Sequence, residues 1–394
     1  KEHEIKTVVP ALRFPEFRKL KEWEVSSIGD SCQILNNKRK PISEAQRTKG
    51  PYPYYGASGI IDHINNYIFD EELLLIGEDG AKWGAYENSA FVATGKYWVN
   101  NHAHVLKPIQ INIIVLRNYL IQLDLAKYIT GAAPPKLTLG KLKEIEIPIS
   151  KVPLEQQKIA DCLSSLDDLI EATNHKIEAL KEHKKGLMQR LFPKEGENVP
   201  ELRFPEFQGT KGWNETVLGN VIDYENGKAH ENDIDEDGKF IVVNSKFIST
   251  EGEIIKKTNS PYCLANKSDI LMVLSDVPNG HAIAKCFFVD QSDKYTVNQR
   301  ICRLRSKNVN SKLLFYLINR NPYFLSFDDG VKQTNLKKAD VLECSLMIPT
   351  SPLEQQNIAN TLSSIDKLII TTKEKIKTLK EHKKGLMQQL FPKI

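Results

Sequence analysis

The chain has no apolar run of about 18 residues, so no membrane-spanning helix is expected. Its opening stretch, Lys1-Glu2-His3-Glu4-Ile5-Lys6, lacks the apolar centre of a signal peptide, which predicts a cytoplasmic address. The six cysteines (Cys32, Cys162, Cys263, Cys286, Cys302, Cys344) are scattered, and no pair has C-x-x-C spacing. That argues against a zinc ribbon and against a disulfide framework. No G-x-x-x-x-G-K-[ST] loop is present, and no glycine-rich cofactor loop follows a strand, so nothing points to an active site in this chain. Neither sign of charge dominates: 54 Lys and Arg stand against 50 Asp and Glu, a net charge of +4. Such a balance permits nucleic-acid binding without requiring it, because local distribution matters more than the sum. A length of 394 residues allows two or three domains with their own cores.

What the chain does contain is a duplication. Leu12-Arg13-Phe14-Pro15-Glu16-Phe17 recurs as Leu202-Arg203-Phe204-Pro205-Glu206-Phe207, and Trp23 and Gly29 recur at the same offset as Trp213 and Gly219. Pro153-Leu154-Glu155-Gln156-Gln157 recurs as Pro352-Leu353-Glu354-Gln355-Gln356. The ten residues from Leu180 to Gln189 return unchanged from Leu379 to Gln388, and Leu-Phe-Pro closes both halves. Between these shared edges the two halves have diverged. Lys96-Tyr97-Trp98-Val99-Asn100 still aligns with Lys294-Tyr295-Thr296-Val297-Asn298, and Asp79 with Asp276. A constant frame with two differing inserts suggests two recognition tasks of one kind.

After each Pro-Leu-Glu-Gln-Gln the apolar spacing alternates three and four, a heptad seam. The first copy reads Leu163, Leu166, Ile170, Thr173, Ile177, Leu180, Lys184, Leu187, Leu191. The second reads Leu362, Ile365, Ile369, Thr372, Ile376, Leu379, Lys383, Leu386, Leu390. Proline at the first turn starts each helix and Leu-Phe-Pro stops it. A helix from Pro153 to Leu191 would be roughly 58 Å long at about 1.5 Å per residue. Neither can hide its seam alone, and chain direction makes the obvious solution an antiparallel coiled coil of the two. The alternatives are that each helix packs on its own domain, or that the seam serves oligomerisation. Lys184 and Lys383 interrupt the seam; their heads escape along the alkyl stem, specify register, or mark a splayed end.

The diverged regions read as mixed α/β. Apolar runs at residues 73–76, 91–93, 241–243 and 270–273 predict strands, and residues 116–127 and 312–318 predict a helix near each region's end. Polar and aromatic residues fall in the intervening segments, read as loops. In the first region the candidates for DNA contact are Lys38, Arg39, Tyr54, Tyr55, Ser58, Lys82, Lys96, Tyr97, Asn101 and His102. In the second they are Lys228, His230, Asn244, Lys246, Asn279, Lys294, Tyr295, Gln299, Arg300, Lys332 and Gln333. Lys and Arg suit phosphates, and Arg, Lys, Asn and Gln suit base edges. Each such residue alone is equally at home as a solvated surface group or a packed ring. A protein-binding scaffold with two globular ends remains open on these grounds.

Three motifs resemble sites and fall short. Asp233-x-Asp235-x-Asp237-Gly238 starts like an EF-hand loop, but its twelfth position is Asn244, where a bidentate Glu is needed. Asn321-Pro322-Tyr323-Phe324 lacks one proline of an adenine-methyltransferase loop and is read as a helix end. His102-x-His104 has no evident third ligand, so no metal site is expected.

The whole arrangement resembles the specificity subunits of Type I restriction–modification systems. The resemblance rests on the Pro-Leu-Glu-Gln-Gln and Leu-Phe-Pro helix edges, on Tyr55-Gly56-Ala57-Ser58-Gly59-Ile60, on Gly77-Glu78-Asp79-Gly80-Ala81, and on Gly330-x-x-Gln333-x-Asn335-Leu336. The first half departs from the last pattern with Gly131-Ala132-Ala133-Pro134-Pro135-Lys136-Leu137, which implies a different loop and a different target. The resemblance implies two similar α/β target-recognition domains (residues 1–152 and 194–351), each followed by a long spacer helix (153–193 and 352–394). Each domain would read one half of a bipartite double-stranded DNA site, with the coiled coil setting the gap. Two methyltransferase subunits and the restriction (motor–nuclease) subunits would be the partners. S-adenosylmethionine, ATP and Mg would then belong to those partners, and this chain would be non-catalytic.

Overall fold

The computed structural model describes residues 6–131, 134–277 and 280–394. The chain divides into two compact units, Lys1–Lys176 with Thr372–Ile394, and Ile177–Thr371. In the first unit, Trp23–Ser27 pairs with Thr7–Val8 and Glu146–Ile149 in a small antiparallel sheet. A second sheet runs in the order Cys32–Ile34, Ala103–Pro108, Leu73–Gly77, Ala90–Ala93, all antiparallel. A third runs Gly59–Ile64, Lys49–Gly56, Lys96–Val99, Phe69–Asp70, with one parallel pair, Lys49–Gly56 on Lys96–Val99.

The second unit repeats this plan. Asn214–Val217 pairs with Ser345–Ile348. Ile222–Asn226, Ile301–Ser306, Ile270–Val273 and Cys286–Phe288 form the antiparallel sheet. Lys257–Thr258, Phe240–Val243, Tyr295–Val297 and Leu264–Ala265 form the mixed one, again with a single parallel pair.

The continuous apolar strands are explained by burial on both faces. Leu74 and Ile76 pack with the helix Ile113–Gln122, while Leu73 and Leu75 pack toward Tyr97 and Val99 of the mixed sheet. Ile270 and Met272, against Leu271 and Val273, divide in the same way. Strand periodicity of two sends alternate residues to opposite cores, so no polar face survives in the sequence.

Some local readings change. The helix expected over 116–127 spans Ile113–Gln122, capped by Asn112, and gives way to a separate turn at Leu125–Tyr128 capped by Asp124. Residues 52–58, expected as a loop, lie mostly in the strand Lys49–Gly56, whose alternation buries Tyr54. Asn321 caps the start of a short helix, Pro322–Leu325, instead of ending one, because proline suits a first helical position.

The long helices span Pro153–Leu191 and Pro352–Leu390. In the first unit Leu163 shares a core with Leu386, Met387, Leu390 and Phe391. In the second unit Leu187 and Leu191 share one with Ile358 and Leu362. The start of each helix thus meets the end of the other, which is antiparallel pairing. Leu166, Ile170, Leu180, Ile369 and Leu379 are half-buried, and Ile177, Ile365 and Ile376 are buried, so the heptad seam faces inward along both helices. No helix among the described residues is long and apolar enough to cross a membrane.

The repeated motifs fasten each unit to its helix. The buried Glu155 carboxylate accepts from Arg13 Nε (2.5 Å) and Nη2 (2.8 Å), from Trp23 Nε1 (3.2 Å) and from Ser150 Oγ (2.5 Å). Glu354 accepts from Arg203 Nε (2.7 Å) and Nη2 (2.8 Å) and from Trp213 Nε1 (3.2 Å). Gln156 Oε1 accepts from the Asn112 N–H, and Gln355 Oε1 from the Asn310 N–H, so each first glutamine ties down a domain helix at its cap. Pro-Leu-Glu-Gln-Gln is therefore a joint as well as a helix start.

Candidate nucleic-acid interface

In the first unit five segments meet at one edge of the sheets. The Lys40 N–H donates to Val99 O, Asn100 N–H to Tyr55 O, Glu78 N–H to His102 O, and Leu137 N–H to Glu78 O. Gly77 admits the 57–58 turn: a Cβ there would lie 2.8 Å from the Ala57 carbonyl oxygen, so a side chain has no room. On this edge Lys38, Ser58, Lys82, Asn101 and His102 are exposed. Lys38, Lys40 and Lys82 form no ion pair among the described residues. Their charges are free to meet phosphates.

Asp79 organises the centre. Its Oδ1 lies 2.5 Å from His102 Nδ1 and its Oδ2 lies 3.0 Å from Lys136 Nζ. Partial burial pushes the Asp79 pKa up, but hydrogen bonds from Lys136 and His102 outweigh it and hold the carboxyl below its ordinary value. Sequence reasoning left Asp79 and Lys136 out of the candidate site. The available signal was the alignment of Asp79 with Asp276, each just beyond a buried strand.

Several candidates belong to the interior. Tyr54 is buried, its hydroxyl accepting from the Ile42 N–H at 3.0 Å. Tyr97 is buried against Phe69 and donates to Glu71 O at 2.9 Å. Tyr55 is half-buried, stacked on Phe91. Arg39 turns inward to Glu78 (2.7 Å) and the Ala103 carbonyl (2.8 Å), so its fork closes the loops together. Lys96 is exposed at the beginning of its strand, over the Tyr67 ring, away from the end that leads to Asn101.

The second unit assembles a comparable edge. Lys228 N–H donates to Val297 O, Leu274 N–H to Arg300 O, and Asn298 N–H to Val243 O. Gln333 Nε2 donates to Ser275 Oγ at 2.6 Å, and Gln299 Nε2 to Glu231 Oε1 at 3.1 Å. Lys228, Lys246, Arg300 and Lys332 are exposed and form no ion pair among the described residues. Asn244 caps the helix Ser245–Ser249, accepting from the Phe247 N–H, so its oxygen is already engaged. His230 is buried, with Nδ1 at Lys228 O and Nε2 at Thr296 Oγ1. Tyr295 is buried between Phe247 and Phe287, and Lys294 lies half-buried along its ring. These three pack the domain, because the strand Tyr295–Val297 is central to its sheet. Asn279 lies outside the described residues.

His102 and His104 diverge: His104 is buried between Leu137 O and Asn36, and no group of His, Cys, Asp and Glu among the described residues could hold a metal. Asp235 accepts from the Asp237 N–H and from Asn259 Nδ2, a turn tied to the 257–259 segment.

A family model described as "Type I restriction modification DNA specificity domain" matches residues 20–182 and again residues 210–381. The chain belongs to this family. It is 26% identical over 411 residues to the Type I restriction enzyme MjaVIII specificity subunit of Methanocaldococcus jannaschii, spanning 96% of this chain and 93% of that one. The putative type I restriction enzyme specificity subunit S.HindORF215P of Haemophilus influenzae is 36% identical over 149 residues, 37% of this chain and 38% of that relative. The solved S subunit of the M. genitalium Type-I restriction-modification system shares the fold, with a TM-score of 0.64 at 16% identity over 98% of this chain and 100% of that one. The two family matches each take in one set of sheets and most of one long helix. This Type I specificity subunit therefore has two target recognition domains, one per repeat.

Proposed function

We propose that each recognition domain reads one half of a bipartite site in double-stranded DNA through the sheet edge described above. Lys38, Ser58, Lys82, Asn101 and His102 carry the first half-site, and Lys228, Lys246, Gln299, Arg300, Lys332 and Gln333 the second. The paired helices set the gap and dock two methyltransferase subunits, which restriction subunits join. The chain itself is non-catalytic and works in the cytoplasm; S-adenosylmethionine, ATP and Mg belong to the partners. The observation that carries this reading is the repeated strand order with different exposed side chains at the same edge. Two such readers gain specificity together, since each mismatched base pair costs about 1–3 kcal/mol. The test is to co-express the chain with its methyltransferase subunit and map N6-methyladenine in host DNA. A single split motif with a fixed gap is expected. No new methylation from a stable, active complex would turn the reading toward a protein-binding scaffold.

A further inference from the structure

We propose that His102 reads a base edge through Nε2, and that Asp79 decides which edge by fixing the imidazole tautomer. The proposal rests on the DNA-reading function above and names its reading atom. A carboxylate only accepts hydrogen bonds, so the 2.5 Å contact with Asp79 Oδ1 places the proton on Nδ1. In the neutral imidazole Nε2 then carries a lone pair. It has no partner among the described residues, and the side chain is 50% exposed. Lys136 holds the other carboxylate oxygen at 3.0 Å, so Asp79 cannot swing away and the ring keeps one orientation. The neighbouring Glu78 is paired with Arg39 and offers His102 no competing anion.

In the major groove the groups that donate to such a lone pair are the exocyclic amines of adenine and cytosine; guanine N7 and O6 and thymine O4 only accept. His102 therefore selects adenine or cytosine at one position. The residue of the second domain that aligns with Asp79 does different work. Asp276 accepts from the N–H groups of Val277, Ala282 and Ile283 and folds its own loop. His102 itself aligns with Arg300, so this His–Asp pair belongs to one half-site.

The test uses the full chain co-expressed with its methyltransferase subunit, with N6-methyladenine mapped across the genome. Wild type is expected to show adenine or cytosine at one position of one half-site. His102→Ala should relax that single position, lowering discrimination roughly ten-fold or more, with the other half-site unchanged. In Asp79→Asn, Lys136 still demands an oxygen, so the new amide nitrogen faces Nδ1 and donates to it. The ring proton then moves to Nε2, and the preference moves from an exocyclic amine to an acceptor: guanine O6 or N7, thymine O4, or adenine N7. His102→Ala combined with Asp79→Asn should behave as His102→Ala alone. An unchanged motif in His102→Ala overturns the inference, as does uniform weakening across all sequences, the mark of a phosphate contact. A wild type without any split motif would instead sink the DNA-reading function beneath it. His102 is exposed, so its substitution decides the matter even if Asp79→Asn fails to assemble.

Discussion

Lys383 donates to Asp167 across the paired helices at 2.6 Å, and the repeat reproduces the contact as Lys184 to Asp366 at 2.5 Å. The seam lysines thus neither escape to solvent nor splay the pair. A parallel, in-register pairing would set Lys184 beside Lys383, two like charges in one apolar seam. The antiparallel pairing replaces that repulsion with two ion pairs, so direction is written into the charges as well as the topology. Each aspartate also binds its domain's helix, Asp167 through Arg117 (3.1 Å) and Asp366 through the Tyr316 hydroxyl (2.6 Å).

A double-mutant cycle of Lys383→Ala and Asp167→Ala should give a coupling of about 1–2 kcal/mol, above the range of exposed pairs because Lys383 is mostly buried. Asp167 is 36% exposed, so the coupling should shrink in 1 M salt. Urea unfolding at two ionic strengths measures both. A coupling near zero would reduce the pair to decoration.

Glu155→Gln should destabilise the first unit by about 3–5 kcal/mol, because it leaves the buried Arg13 guanidinium without its counter-charge. Removing both charges, as Arg13→Leu with Glu155→Leu, should hurt less than either single change. Glu354→Gln is the same experiment in the second unit. Trp23 and Trp213 donate to these carboxylates, so tryptophan fluorescence follows each joint during unfolding.

Architecture was legible in this chain wherever a pattern repeats. The heptad seam and the duplicated edges recur in both halves, and the apolar seam positions are buried or half-buried in both helices. The candidate site was only partly legible. Tyr54, Tyr97, Tyr295 and His230 look like surface chemistry in the sequence because polar atoms on rings say nothing about which face of a strand they occupy. The hydroxyls of Tyr54 and Tyr97 and the ring nitrogens of His230 find partners inside, on Ile42, Glu71, Lys228 and Thr296. Arg39 and Arg13 were hidden for a related reason: whether an arginine meets phosphate or a carboxylate depends on an acid far away in sequence.

The unpaired lysines should contribute charge without sequence information. Lys38→Ala and Lys82→Ala are each expected to lower the slope of log K against log salt by about 0.9, with the recognised motif unchanged. Affinity titrations of the assembled methyltransferase at several salt concentrations test this. Arg39→Ala should act differently, loosening the loops it ties to Glu78 and weakening the fold of the first domain.

Asp79 lends stability with a definite pH signature. Its folded pKa lies below the ordinary carboxylate value, so the unfolded chain takes up the proton first as pH falls. The contribution is complete above the unfolded value near 3.9 and is lost as pH drops through the lower folded value. The Tm gap between the wild type and Asp79→Asn should narrow as pH falls below about 4. A gap that widens in acid would mean the carboxyl is held neutral.

Lengthening the spacer tests the link from helix to DNA. Because the helices run antiparallel and share one seam, an insertion must enter both and preserve the heptad. Seven residues add about 10 Å of helix at about 1.5 Å each, and DNA rises about 3.4 Å per base pair. A matched heptad in each helix should therefore widen the gap between methylated half-sites by about 3 base pairs, with both half-site sequences intact. Three base pairs also rotate one half-site around the duplex by nearly a third of a turn, given the 10–10.5 base pairs of each turn. The added heptad rotates its far end by only about 20° relative to an ideal repeat. The lengthened chain must then twist its DNA or its helices to engage both halves, so methylation at the wider gap should be slower than wild type. A motif whose gap did not move would separate spacer length from site spacing and leave the coil a purely structural strut.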